Sequence, residues 1–382
     1  MMTDMGPTGP GPLLLITASM GSGHTQVADE LARRMSGRVR TRMVDLLEIL
    51  PWHLGAALRE GYGATLRRAP WLYEGVFRAF FAPRPHWQPD TSPLARLAAR
   101  RLRRVVADCA PCAVVSTFHL AGQAVGMLRQ QNRLRVPSVV VITEPAAHVL
   151  WNHPATDLLV CPYPWVAEDS RRATGKPSLA PGPVIGPQFR MDGPGYGAEV
   201  GAAGRQRLRL EPGEHAVLIS GGAWGMGALT RAATQLSLVP SVRPVVLCGR
   251  NERLRRKLDG AQGCLALGWR DDLSVLFAGA SVLVDNAGGT TCAEAFAAGL
   301  PVVGYDPLPG HGRAGVKALI RAGLVTDGHP SLSSAVAALC TPGPLRERQC
   351  RRAAEVFRAD PAEVLAGWLT DQGVPLSPAA GG

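Results

Sequence analysis

Asp285-Asn286-Ala287-Gly288-Gly289-Thr290-Thr291-Cys292-Ala293-Glu294 follows an apolar run from Ala280 to Val284. A short apolar run that stops at turn residues reads as a buried parallel strand. The Gly-Gly-Thr-Thr turn then opens a helix, so backbone N–H groups and the positive end of a helix dipole converge on one spot, which suits a diphosphate. One turn and a little further on, Glu294 presents a carboxylate to a diol such as a ribose. A phosphate cradle followed by a diol acceptor describes a nucleotide-sugar site, with Gly288, Gly289, Thr290 and Glu294 as its candidate residues. The plainer alternative is a strand–turn–helix of any α/β protein, where Gly-Gly serves the turn alone.

Near the N-terminus the pattern recurs. Leu13 to Thr17 is a short apolar strand, and Gly21-Ser22-Gly23-His24 then opens a helix carrying Val27, Leu31 and Met35 at i, i+4 and i+8. A Walker A loop requires a lysine that is absent, and a dinucleotide fingerprint requires a third glycine where Gln26 stands. Other strands are expected at Ala113–Ser116, Ser138–Thr143, Leu158–Cys161, Ala216–Ile219, Pro244–Leu247, Cys264–Leu267, Ser281–Val284 and Pro301–Gly304. Several end in polar residues at the edge where open parallel sheets bind ligands, among them His119, Glu144 and His148. Between Gly182 and Gly213 the chain turns glycine-rich and reads as a linker.

Composition bounds the rest. The chain of 382 residues, 46% hydrophobic and 19% charged, has length enough for two globular domains. No apolar run approaches the ~20 residues of a membrane-spanning helix. The N-terminal segment lacks the basic start of a signal peptide, so a cytoplasmic protein is expected. Only Cys109 and Cys112 of the eight cysteines have ligand-like spacing, and no second pair completes a zinc site. The net charge is +11, and Pro51 to Ala110 holds ten arginines against four acids, interleaved with tryptophan, tyrosine and phenylalanine. Two readings of that stretch stand side by side: an amphipathic surface on anionic lipid, or an aromatic core coated with solvated arginines. No nucleic-acid module is recognised.

In their order, Gly268-Trp269, the Gly-Gly-Thr-Thr…Glu294 stretch and Pro309-Gly310-His311 resemble the donor half of GT-B glycosyltransferases of family 28. That family includes the monogalactosyldiacylglycerol synthases and the processive diacylglycerol glucosyltransferases. Gly21-Ser22-Gly23-His24 is similar to the acceptor-side loop of the same enzymes. The resemblance implies two Rossmann-like α/β domains with parallel sheets facing a cleft. Residues 1–185 would form the acceptor domain, 186–213 a linker and 214–355 the donor domain, with a C-terminal helix and tail (356–382) packing back on the first. It implies a UDP-sugar donor held by Gly221, Gly222, Arg250, Gly268, Trp269, Gly288, Gly289, Thr290, Glu294 and His311. Gly21, Ser22, Gly23 and His148 would meet the acceptor, and His24 or Glu144 would act as the base, without a metal or other cofactor. The structural alternative for Trp269 is core packing.

The expected activity is inverting transfer of a hexose to a hydroxyl of a diacylglycerol-like lipid at the membrane surface. Transfer to a soluble natural product, sugar-nucleotide epimerisation, and nucleotide binding without turnover are the alternatives. At one point the sequence departs from its relatives. Where many of them read Pro-Gly-Gln-Glu with an asparagine soon after, this chain has His311, Gly312 and Gly315. The contacts that select the sugar's hydroxyls are therefore altered, and the identity of the hexose stays open.

Overall fold

Twelve strands form two parallel sheets of six in the computed structural model, which describes residues 11–81, 92–190, 197–259 and 263–377. In the first sheet β1 (Leu13–Thr17), β2 (Thr41–Asp45), β3 (Ala113–Ser116), β4 (Ser138–Val141), β5 (Leu158–Val160) and β6 (Ser178–Leu179) take the order 2-1-3-4-5-6. The second contains β7 (His215–Ser220), β8 (Val242–Leu247), β9 (Leu265–Leu267), β10 (Val282–Asp285), β11 (Val302–Gly304) and β12 (Thr326–Asp327) in the order 12-11-10-7-8-9. Every expected strand is present, shifted by a residue or two at its ends. In each sheet the order reverses beside the first strand, and that reversal opens a crevice at the C-terminal strand edges. Both crevices face one cleft, since residues of both halves line it.

The apolar runs become central strands because both sheet faces are covered. Residues Leu13 to Ile16 of β1 have no solvent exposure at all. Helix Gly23–Met35 buries Val27, Leu31 and Met35 against that sheet, as their spacing requires. The terminal helix Pro361–Asp371 packs on the same cluster through Ala362, Leu365 and Leu369. Arg34–Asp360 (2.9 Å) and Arg38–Glu363 (2.5 Å) tie it to helix 23–35, so the chain's end returns to its first half. Another cluster runs continuously from Ile142, Trp151 and Tyr163 to Phe277, Phe296 and Leu319, joining the halves through shared core.

The expected linker differs from its reading. Residues Ala198–Arg207 within it form a helix, and an added Cβ on Gly204 would lie 2.3 Å from the carbonyl oxygen of Val275. Glycine there permits close backbone packing on helix Leu273–Gly279 rather than flexibility. Gly193 and Gly195 of that stretch, and Arg84, Trp87 and Asp90 of the basic–aromatic segment, lie outside the described residues.

Candidate active site

Two helices begin at the cleft from opposite sides. Helix 23–35 starts at Gly23 after β1, and helix Thr290–Ala297 starts after β10. They nearly touch: a Cβ on Gly23 would stand 2.5 Å from Thr290 Oγ1, so a side chain there would displace the Thr290 hydroxyl. The positive ends of both helix dipoles therefore converge, reinforcing an anion site that the sequence suggested from one helix alone. The N–H groups of Thr290 and Thr291, in the first turn, have no intrahelical acceptor.

Gly288 does something other than expected. The buried carboxylate of Asp285 accepts from the N–H groups of Ala287 (2.8 Å) and Gly288 (2.6 Å). Those donors are engaged inside the turn, and Gly288 itself takes φ +66°, a conformation that favours glycine. Gly288 thus shapes the loop while Gly289 and Thr290 face the cleft.

A cavity of about 520 Å³ occupies the cleft, with Gly21, Gly23, His24, Glu144, His148 and His311 on its wall. Ser22, Gly221, Gly222, Gly289 and Thr290 reach it too, so most of the candidate residues of both halves meet around one space. Ser22 and Gly222 also border a second cavity of about 340 Å³, which Gly268, Trp269, Thr291 and Glu294 complete. Both volumes are of the size that small-molecule sites occupy.

In the smaller cavity Trp269 is 39% exposed, and its indole N–H donates to Asp271 Oδ1 (2.9 Å). Core packing is therefore not its role. Glu294 is buried, and that burial pushes its carboxyl up to about 8. Arg250 departs from expectation. Its guanidinium lies 4.3 Å from the Trp269 ring centre and lines neither cavity, so it braces the aromatic wall.

In the larger cavity His24 Nδ1 stands 2.8 Å from the carbonyl oxygen of Thr117 and 3.2 Å from Thr143 Oγ1. A carbonyl only accepts, so Nδ1 carries the proton and Nε2 keeps its lone pair. The Thr117 hydroxyl donates back to the His24 carbonyl (3.1 Å), fixing the backbone as well. Burial holds the imidazole down at about 4, neutral at physiological pH. Neither threonine was singled out from sequence; the only signal was their position at the ends of β3 and β4. Glu144 does not orient His24, because those two partners do. Burial pushes its own carboxyl up to about 7, and it faces His148 Nε2 at 3.6 Å.

His119 and His148 form a wall with Trp151, their ring centres 4.9 Å apart. Burial depresses both, His119 to about 3. Their Nδ1 atoms have no hydrogen-bond partner among the described residues, leaving polar atoms in a cavity whose wall also includes the apolar Leu58, Leu94, Phe118, Leu120 and Leu150.

His311 opens helix His311–Arg321 and is gripped from the other half. Tyr73 Oη is 2.7 Å from its Nδ1 and Tyr62 Oη 3.2 Å from its Nε2. Both ring nitrogens are thereby occupied. Gly312 and Gly315 owe their lack of side chains to packing: a Cβ would fall 2.9 Å from Leu308 Cβ in the first case and 2.9 Å from Pro145 Cγ in the second.

The aromatic residues of the 51–110 segment divide between its two readings. Tyr62, Tyr73 and Phe77 turn inward to cluster with Leu66, Met226 and Leu308. Trp52 (88% exposed), Trp71 (74%) and Leu72 (47%) face outward. Among the described residues no helix is long and apolar enough to cross a membrane.

Comparison with known proteins gives this arrangement its relatives. A family model, that of monogalactosyldiacylglycerol (MGDG) synthase, matches residues 24–178. A processive diacylglycerol beta-glucosyltransferase of Bacillus thuringiensis (strain Al Hakam) is 26% identical over 325 residues, covering 78% of this chain and 77% of its own. Among solved structures, the spinosyn rhamnosyltransferase SpnG superposes with a TM-score of 0.59 at 15% identity, over 94% of this chain and all of its own. MurG of Acinetobacter baumannii gives 0.57 at 14% identity, over 95% of this chain and 100% of its own. The fold is GT-B, and the resemblance to family 28 glycosyltransferases extends across both halves.

Proposed function

We propose that this GT-B protein is an inverting glycosyltransferase that moves a hexose from a UDP-sugar to the hydroxyl of a lipid at a membrane surface. One observation carries the reading. A single cavity joins a neutral histidine with a free Nε2, the positive ends of two helices, and a wall of apolar side chains. An anionic leaving group and an apolar acceptor can meet in that one space.

In this reading uracil lies against Gly268 and Trp269, and the ribose diol meets Glu294. The diphosphate bridges the two cavities at Gly222, Thr290 and Thr291, with the hexose projecting toward His311 and Glu144. The acceptor enters along Leu58, Leu94 and Leu120 and presents its hydroxyl to His24 Nε2. As the oxygen attacks the anomeric carbon from the face opposite the diphosphate, His24 takes its proton. The imidazolium so formed is held by the Thr117 carbonyl. The departing charge is met by backbone N–H groups and helix dipoles already in place, which costs no reorganisation. On this account no metal or other cofactor is needed.

The outward tryptophans support membrane docking, because helices Leu54–Arg68 and Pro70–Phe80 also line the cavity through Leu58, Tyr62, Tyr73 and Val76. A groove of about 620 Å³ along helices Pro93–Cys109 and His119–Gln130 adds Arg100, Arg103, Arg104 and Arg133. Such a surface suits anionic headgroups.

The test is incubation with a panel of UDP-sugars and vesicles holding diacylglycerol and anionic lipid, followed by mass spectrometry. A hexosylated lipid with stoichiometric UDP is the expected result. Product on a soluble acceptor alone would favour the natural-product reading, and an epimer from donor alone would replace transfer by epimerisation.

A further inference from the structure

The grip on His311 has a chemical consequence. Neutral imidazole has one N–H donor and one lone pair, so one tyrosine donates to it and the other accepts from it. With both nitrogens engaged (2.7 and 3.2 Å), His311 offers a bound hexose no further polar atom. Next to it on helix 311–321, Gly312 and Gly315 offer no side chain. Tyr62 and Tyr73 line the same cavity as Thr290 and Thr291, where a diphosphate would end and its sugar begin.

The grip is also anchored beyond the rings. Glu74 Oε2 accepts from the Gly310 N–H (2.8 Å) and pairs with Arg313 (3.2 Å), while Glu74 Oε1 pairs with Arg78 (3.0 Å). A Cβ on Gly310 would lie 2.8 Å from the rings of both Tyr73 and Phe77, and its φ of +69° also favours glycine. Tyr73 is buried, and the Tyr62 and Tyr73 rings meet edge-on at 5.4 Å. Two hydroxyls of the first half are thus held at a fixed point against the second.

We infer that Tyr62 and Tyr73 are the residues that recognise the hexose: clamped on His311, they complete the sugar end of the donor site from the acceptor half. The inference rests on the reading of the cleft as a UDP-sugar site. It implies that the nucleotide end is formed by the second half with the helix-start loops, whereas the sugar end exists only while the halves are clasped.

Calorimetric titration of UDP, UDP-glucose, UDP-galactose and UDP-N-acetylglucosamine into the wild type, Tyr62→Phe and Tyr73→Phe separates these ends. Phenylalanine keeps the ring packing and removes only the hydroxyl. UDP should bind both variants within about twofold of the wild type. The preferred UDP-sugar should weaken about 5- to 10-fold, the scale of one lost neutral hydrogen bond, and preference among the three should narrow. Glu74→Gln, which loosens the anchor and spares both rings, should give the same selective loss and serves if a tyrosine variant fails to fold. Parallel weakening of UDP and UDP-sugar, or no change in either, would overturn the inference. A wild type that binds UDP but gains nothing from any sugar would also overturn it while sparing the nucleotide site. A wild type that binds no UDP would remove the donor reading itself.

Discussion

The identity of the base has a quantitative signature in the acid limb of kcat/KM, which reports the free enzyme. His24 is held at about 4 and Glu144 at about 7, both by burial. At pH 5.5, therefore, about 97% of His24 is unprotonated, whereas only about 3% of Glu144 is ionised. If His24 is the base, lowering the pH from 8 to 5.5 leaves kcat/KM nearly flat. If Glu144 is the base, the same step lowers it about 30-fold, equivalent to ~2 kcal/mol. The kcat profile should titrate at higher pH than kcat/KM, because a bound diphosphate favours imidazolium. The assay is initial-rate release of UDP from vesicle-bound acceptor across pH 5 to 8, with Glu144→Gln and His24→Ala in parallel. His24→Ala should lose about 10²- to 10⁴-fold in turnover. A wild-type profile falling with a midpoint near 7 and abolished in Glu144→Gln would refute the assignment to His24.

Other consequences are open to simpler measurements. Thr143→Val removes one of the two partners of His24 Nδ1, and kcat should fall several-fold with KM for the donor unchanged; equal loss in both would point to misfolding instead. Glu294→Gln should weaken UDP several-fold by calorimetry, at ~0.5–1.5 kcal/mol for a neutral hydrogen bond, since burial keeps this carboxyl protonated near pH 7, and unchanged affinity would remove ribose recognition from this residue. Gly315→Asn should lower the melting temperature by an amount corresponding to about 1–3 kcal/mol, because its Cβ meets Pro145. Stability should also fall with acid. The folded values of His24, His119 and His311 lie below the ordinary 6.5, so the unfolded chain binds protons first as pH falls. Their contribution is complete above 6.5 and is lost as pH falls toward 4, while Glu144 and Glu294, raised to about 7 and 8, contribute below 4.5 and lose that contribution as pH rises. With three or more histidines against two glutamates, melting temperature should drop between pH 6.5 and 4, and a flat profile would contradict the burial of these groups.

What the sequence disclosed follows from physical range. Strands such as β1, β3 and β10 are legible because burial on both faces demands continuous apolar residues over a few positions. The edge strand β2, Thr-Arg-Met-Val-Asp, carries no such run and is half exposed, so nothing local announces it. The helix at Ala198–Arg207 hides behind glycines whose purpose is contact with a distant backbone. In the site, Gly-Ser-Gly-His and Gly-Gly-Thr-Thr…Glu stand out because the turn and the helix start are encoded within a few residues. Partners brought by tertiary structure do not stand out: Thr117 lies 93 residues from His24, and Tyr62 lies 249 from His311. Gly312 and Gly315 illustrate the difference well. From sequence they mark missing sugar contacts; in the fold they are the places where Leu308 and Pro145 leave no room for side chains, one of them across the cleft.

In the proposed reading the two halves bring a UDP-sugar and a lipid hydroxyl together at His24. Its most direct test is a crystal structure with UDP and a short-chain diacylglycerol bound. Uridine should lie between Trp269 and Glu294, the diphosphate at Thr290 and Thr291, and the acceptor hydroxyl about 2.6–3.2 Å from His24 Nε2. A nucleotide bound elsewhere, or an acceptor hydroxyl seated on Glu144 and out of reach of His24, would contradict it.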